Sequence, residues 1–297
     1  MVDNFYHGDA VPTPVTDGEQ VFALFGSGVI AALDFDGKLV WREELPRLKD
    51  KDGGICSSPV LYEETVIFPG IADSGLRALD KATGKLKWEQ KSRDRNRMST
   101  PALIHVGGKT QLIHHAGGVQ GLDPATGEVI WFCRGITAGQ SSPVFGSGLL
   151  YTDAGRGGQN GNVVDATGKG DVSKTNVKWT AKATTAAGSS GIVVGKHIYR
   201  ACDPGYIRCR ELATGEIIYE ERTPGLDPSA SPIACADGRI YFGSPSRSYV
   251  IKAGPKFELL ASNDLHDGQY TTPAVSDGRI FIKGKTHLWC IGKKAEK

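Results

Sequence analysis

The sequence predicts an all-β fold: a β-propeller of four-stranded antiparallel blades, seven in number. Two repeated phrases and one compositional feature predict it. The first phrase ends in an aromatic residue: "LDFDGKLVW" at 33–41, "LDKATGKLKW" at 79–88, "LDPATGEVIW" at 122–131, "VDATGKG…NVKW" with an insert at 164–179, and "LATGEIIY" at 212–219. Its spacing, read between Trp41, Trp88, Trp131, Trp179 and Tyr219, is about 40 to 48 residues, the length of one four-stranded blade. The second phrase opens each unit: "PTPV" at 12–15, "SSPV" at 57–60, "STPA" at 99–102, "SSPV" at 141–144, "SSGI" at 189–192, "SASPI" at 229–233 and "TTPA" at 271–274. The third feature is glycine, 39 in 297 residues and spread along the chain, which implies many tight turns between short strands.

Each blade parses the same way. The "SSPV" run is the first strand, and a β-branched or aromatic run such as "TVIFPG" or "RIYFGS" is the second. The third strand ends in "ALD", and the "ATGK" turn leads to a fourth strand carrying the tryptophan. In that turn Asp caps the backbone and Gly supplies the positive φ of a tight hairpin. The tryptophan on the outer strand is expected to cover the seam with a neighbouring blade, a structural duty rather than a chemical one. A single domain over 1–297 follows, with blades at about 10–45, 55–92, 98–134, 140–182, 188–222, 229–262 and 270–292. Blade 6 departs from the pattern, since "KAGPKFELLA" at 252–261 has no tryptophan, and blade 7 stops at "HLWCIGKK" without a fourth strand. An open sheet edge invites association, so residues 1–9 are the candidate to close it.

Composition excludes several classes. Hydrophobic residues make up 39% and charged ones 23%, with a net charge of +2 and both signs intermixed, so no field argues for nucleic acid. The densest basic stretch, "KSRDRNR" at 91–97, reads as a solvated loop, with phosphate binding as the alternative. No apolar run approaches the ~18 residues of a membrane helix, so no membrane insertion is expected. "MVDNFYHGDA" lacks the pattern of a signal peptide, which implies a cytoplasmic location for the chain as written. Cys56, Cys133, Cys202, Cys209, Cys235 and Cys290 match no zinc or redox spacing and are read as thiols.

"ALDKATGKLKW", "GLDPATGEVIW" and the "SSPV" starts resemble the PQQ-like (pyrroloquinoline-quinone-like) β-propeller repeat of quinoprotein alcohol dehydrogenases and of the propeller lipoprotein of outer-membrane assembly. "VIKAGPKFELLASNDL" and "HLWCIGKK" look similar to exported PQQ-like propellers of planctomycete type, which implies a truncated member that has lost an N-terminal blade. The resemblance covers about residues 10 to 292 and speaks to fold more than to function. Quinoprotein dehydrogenases hold the quinone with an adjacent Cys–Cys disulfide, a tryptophan floor and a calcium ion on Glu, Asn and Asp. This sequence has no Cys–Cys pair and no insert carrying such a calcium set. Its tryptophans sit at the repeat position, apart from Trp289. PQQ is therefore not expected as a cofactor.

Chemistry, if any, is expected on loops at the mouth of a central channel. Six residues there could ligate a divalent metal such as zinc, manganese or iron: His7, His115, His266, Asp73, Asp153 and Asp203. Arg97 and Arg156 could hold an anionic substrate. Each has a plainer reading. His7 in "HGD" can be a terminal side chain, and His114 and His115 in "IHHAG" alternate across a strand and can be buried structural groups. His266 and Asp267 in "LHDGQY" can form a turn with a capping Asp. "TDAGRGGQNGN" at 152–162 can be a long loop, and "ACDPGY" at 201–206 a turn around Pro204 and Gly205. Two functions follow. One is a non-catalytic, monomeric scaffold presenting its loop face to a protein or polymer partner. The other is a metal-dependent hydrolase of phosphoesters or esters with its site at the channel mouth.

Overall fold

Short β-branched and aromatic runs separated by turn glycines leave the chain little choice but strands. The computed structural model describes residues 10–45, 55–70, 74–91, 98–135, 139–153, 160–182, 189–245, 247–267 and 271–292. Among them the strands form seven antiparallel blades, and the fold is the β-propeller that the repeats predict. No helix of the described residues is long and apolar enough to cross a membrane.

Blade 1 comprises β1 (Val15–Thr16), β2 (Gln20–Leu24), β3 (Val29–Asp34) and β4 (Leu39–Glu44). Blade 2 comprises β5 (Val60–Tyr62), β6 (Thr65–Pro69), β7 (Ser74–Asp80) and β8 (Leu86–Lys91). Blade 3 comprises β9 (Ala102–Val106), β10 (Lys109–His115), β11 (Gly118–Leu122) and β12 (Val129–Arg134). Blade 4 comprises β13 (Val144–Gly146), β14 (Leu149–Thr152) and β15 (Asn160–Asp165); β16 (Gly170–Asp171) then intervenes before its last strand, β17 (Val177–Lys182). β16 pairs parallel with β12 and so belongs to the sheet of blade 3. Blade 5 comprises β18 (Ile192–Val194), β19 (His197–Cys202), β20 (Tyr206–Glu211) and β21 (Ile217–Arg222). Blade 6 comprises β22 (Ile233–Ala234), β23 (Arg239–Phe242), β24 (Arg247–Lys252) and β25 (Leu259–Asp264). Blade 7 has β26 (Ala274–Ser276), β27 (Arg279–Lys283) and β28 (Leu288–Gly292), with no fourth strand among the described residues. The proposed closing segment, 1–9, lies outside them.

The chain divides into two compact units. One is Met1–Pro143 with Ala166–Asn176, and the other is Val144–Asp165 with Val177–Lys297. In the first, one core lies between blades 1 and 2 around Phe22, Ile30, Val66 and Phe68, and another between blades 2 and 3 around Ile67, Leu76, Leu112 and Leu122. In the second, Tyr151, Val163, Ile198 and Leu212 form one core, and Tyr199, Ile207, Ile240 and Phe242 another. Blades 2 and 5 thus bury both faces against their neighbours, which is why their middle strands read as continuous apolar runs.

The tryptophan phrase is an interblade fastening. In blades 1 to 6 the register between third and fourth strands shifts at one equivalent place, from Ala32/Leu33 in blade 1 to Val250/Ile251 in blade 6. The extra residue on the fourth strand re-aims the side chain that follows it. Trp41 Nε1 then donates to the Lys81 carbonyl at 2.6 Å, Trp88 Nε1 to Pro124 at 3.1 Å, and Trp179 Nε1 to Leu212 at 2.8 Å. Each acceptor is the residue after the acid of the next blade's turn. The turn glycine is needed twice. It has φ of +70° to +76° at Gly84, Gly127 and Gly215, and a Cβ there would stand 2.8, 2.5 and 2.6 Å from the tryptophan ring above it.

The second phrase also fastens blades. The Ser or Thr before proline lends its hydroxyl to the neighbouring blade. Thr13 N–H donates to Ser58 Oγ (2.9 Å), Ser58 N–H to Thr100 Oγ1 (3.0 Å), Thr100 N–H to Ser142 Oγ (3.0 Å), and Ser190 N–H to Ser231 Oγ (2.8 Å). The first strand of a blade is an edge whose amides face the neighbouring blade, so a short hydroxyl side chain is the group that can satisfy them.

Candidate functional site

Four of the eight predicted site residues, His7, Asp73, Arg97 and Arg156, lie outside the described residues. The other four occupy three kinds of environment.

Asp153 follows β14 and is 1% exposed. Its Oδ2 accepts the Tyr151 hydroxyl at 2.7 Å and forms an ion pair with Arg200 of β19. Arg200, 4% exposed, also donates from Nη2 to the Ser189 carbonyl at 3.1 Å. Burial pushes the Tyr151 phenol well above its ordinary range, and the Asp153 charge adds to the effect. Burial alone would lower the Arg200 pKa, but Asp153 foremost, with Tyr151 and Cys202, raises it overall. A metal at Asp153 would have to displace Arg200 and leave a buried guanidinium unpaired, which costs several kcal/mol. Asp153 is therefore a structural anion between blades 4 and 5.

Asp203 lies in the turn from β19 to β20. Burial raises its carboxyl pKa, and the nearby Asp227 charge raises it further. Asp227 is itself engaged, accepting the Ser229 amide at 2.9 Å and the Ser229 hydroxyl while its own N–H donates to Ser244 Oγ at 2.9 Å.

The two histidine predictions divide. His115 is fully buried on β10, and its neighbour His114 is 1% exposed on the other face of the same strand. Neither ring nitrogen of His114 has a hydrogen-bond partner. Burial, followed by the adjacent His115, brings the His114 pKa down to about 3. His266, in contrast, is a surface residue. It has φ +49°, its side chain is 83% exposed, and its Nδ1 lies 3.0 Å from Asp264 Oδ1.

The consequential residue of "LHDGQY" is Asp267. Its carboxylate accepts Thr286 N–H at 2.9 Å, Thr286 Oγ1–H at 2.6 Å, His287 N–H at 3.0 Å and Trp289 Nε1–H at 2.9 Å. These donors, the Thr286 hydroxyl foremost, hold its carboxyl far below the usual carboxylate range. Asp267 thus caps the turn between β27 and β28. It also explains the odd tryptophan: Trp289 binds Asp267, in the segment that leads into its own blade.

Among the described residues no group of three or more His, Cys, Asp or Glu is placed to hold a metal ion. No disulfide joins any of the six cysteines, all of which are described. The arrangement offers fastened blades and satisfied carboxylates, with turns such as Glu63 and Asp277 projecting from the first hairpins.

Fastenings of this kind, repeated from blade to blade, define a repeat-built β-propeller. The family described as outer membrane protein assembly factor BamB matches residues 6–221, and the chain belongs to that family. No curated protein matches the chain. Among solved structures it is similar to BamB from Moraxella catarrhalis, with a TM-score of 0.70 and 16% identity over 94% of this chain and 82% of that one. It is also similar to the computationally designed Ika8 protein, with a TM-score of 0.61, 14% identity, and 97% and 98% of the two chains covered. The quinohemoprotein alcohol dehydrogenase ADHIIG from Pseudomonas putida HK5 aligns with a TM-score of 0.61 and 14% identity over 94% of this chain but only 64% of its own. At these identities the likenesses establish the fold alone.

Proposed function

We propose that the chain is a non-catalytic scaffold that presents the turns of its blades to a protein partner and works without bound quinone. The observation that carries this reading is the state of its acidic groups. Asp153, which sequence alone offers for chemistry, is spent on Arg200 and Tyr151, and Asp267, beside the candidate His266, is spent on the β27–β28 turn. Family membership adds to it, because the family's description is that of an assembly factor. By analogy the partner would be a component of an assembly machinery. The metal-dependent hydrolase reading draws no support from the described residues.

The test pairs two measurements. Photo-crosslinkers at Glu63 and Asp277, expressed in the native cell, should trap a defined protein that then forms a stoichiometric complex with purified chain. Dialysed protein reloaded with zinc, manganese or iron should show no ester or phosphoester turnover above the metal alone. Turnover that Asp203→Ala abolishes while the protein stays folded would establish the hydrolase instead.

A further inference from the structure

Blade 3 carries an open feature that its neighbours do not explain. On the face that packs against blade 2, Leu112 and Leu122 join the core of the seam. Along the outer strand lies a cavity of about 470 Å³, lined by Ile130, Phe132, Cys133 and Arg134 of β12, by Gln120, by Gly170 of β16 and by the β10–β11 turn. That volume falls within the range of small-molecule sites.

Its chemistry is directional. The Arg134 guanidinium stands 4.7 Å from the centre of the Phe132 ring, held as a cation over an aromatic face. Among the described residues no carboxylate lies within ion-pair distance of it; the nearby Asp171, which accepts the Ser173 amide at 3.0 Å and the Ser173 hydroxyl, attracts it only through space. Arg134 thus has a planar fork of donors available for an anion. Ile130 and Phe132 supply the apolar wall. Opposite Phe132 in register is Gln120, 7% exposed, whose Nε2 donates to Gln90 Oε1 at 3.2 Å and whose own carbonyl oxygen is left to accept. One strand further in, the same row reaches His114, the buried imidazole without a partner at either nitrogen. A buried polar group left unsatisfied is uncommon and points to a missing hydrogen-bond partner.

We propose that this cavity binds a small planar aromatic carboxylate bearing a polar group at the far end of its ring. The carboxylate lies on Arg134, the ring on Phe132 and Ile130, and the polar end points along the row toward Gln120 and His114. The site does not depend on the scaffold reading and includes neither the Glu63 nor the Asp277 turn.

The experiment is saturation-transfer NMR and calorimetric titration of the full chain with 4-hydroxybenzoate, with benzoate and cyclohexanecarboxylate as comparators. An acid of about ten heavy atoms should bind with a Kd of about 0.1–1 mM, and the hydroxylated ring should bind more tightly than the plain one. Arg134→Gln should weaken binding about tenfold or more, and Phe132→Leu about fivefold. Arg42→Gln, on the outer strand of blade 1, should leave it unchanged, and all three variants should keep the parent unfolding midpoint. Absence of saturable binding by any of the three acids overturns the proposal. So does binding that survives both Arg134→Gln and Phe132→Leu.

Discussion

Trp41 and Trp131 do one job with different parts. Trp41 rests on Gly84 and donates directly to the carbonyl of Lys81, the residue after the turn acid Asp80. The equivalent carbonyl for Trp131 is that of Ala166, after Asp165, where the sequence carries its insert. Trp131 does not reach it directly. Its Nε1 donates to Gln111 Oε1 at 2.8 Å, and Gln111 Nε2 donates onward to the Ala166 carbonyl at 3.2 Å. The inserted residues also add β16 to the sheet edge and bury Trp131 completely, whereas Trp88 remains half-buried. The repeat therefore conserves a destination rather than a contact. When the turn changes, a side chain from the second strand spans the gap.

The largest effect separates the two arrangements. Trp131→Ala should cost about 3–5 kcal/mol, the usual loss for a fully buried aromatic residue. The same change at half-buried Trp88 should cost roughly half as much, because less area leaves water. Urea unfolding midpoints measure both. Equal losses would mean that the bridged fastening contributes nothing beyond the direct one.

Next comes the glycine. Gly37 and Gly127 occupy the same turn position with φ of +79° and +75°, but nothing lies within 4 Å of a Cβ at Gly37, while the Trp88 ring lies 2.5 Å from one at Gly127. Gly37→Ala should cost only the left-handed backbone penalty, about 1–2 kcal/mol. Gly127→Ala should add an overpacking cost of about 1–3 kcal/mol. If the two variants unfold alike, the ring contact does not constrain the turn.

These contrasts also show what sequence could reveal. The "D-x-A-T-G" turn and its tryptophan are legible because a fastening built from backbone carbonyls and one glycine must recur at fixed spacing. Gln111 is not, because "KTQLIHH" reads as any second strand and its partners lie 20 and 55 residues away. The surroundings of the candidate residues are hidden for a similar reason. Asp153 looks available until Arg200, 47 residues later, is brought against it. His266 and Asp267 look equivalent as letters, yet a positive φ turns one to solvent while the other faces a turn 19 residues on. Residue inventory finds groups able to do chemistry. It does not reveal which of them the fold has already engaged.

Blade 3 offers a comparison within itself, between the satisfied face of Trp131 and the opposite face holding His114. His114 has a folded pKa of about 3 against 6.5 for the ordinary side chain, because burial disfavours its charge. The folded value is the lower one, so between the two values the unfolded chain binds the extra proton. Stability is then fully present above about pH 6.5 and lost as pH falls toward 3. Between pH 6.5 and pH 5 the loss should be about 2 kcal/mol. His114→Leu should flatten that stretch of the stability curve, and a variant that keeps the full slope would assign it to other groups.

The smallest effect tests the bridge itself. Gln111→Ala removes both hydrogen bonds of the relay and leaves the Trp131 N–H and the Ala166 carbonyl without it, at a cost of about 1–2 kcal/mol. Trp131→Phe removes the donor but keeps an aromatic ring over Gly121. In that background Gln111→Ala should cost less, since only the Ala166 carbonyl is then left wanting. The difference between the two costs is the coupling energy of the relay, expected near 1 kcal/mol for a buried, hydrogen-bonded pair. A value indistinguishable from zero would make Gln111 a packing residue and leave the insert's attachment to β16 and Val172, whose amide donates to the Phe132 carbonyl at 3.0 Å. A clear positive value would establish that one amide side chain lets the repeat absorb a longer turn without giving up its fastening.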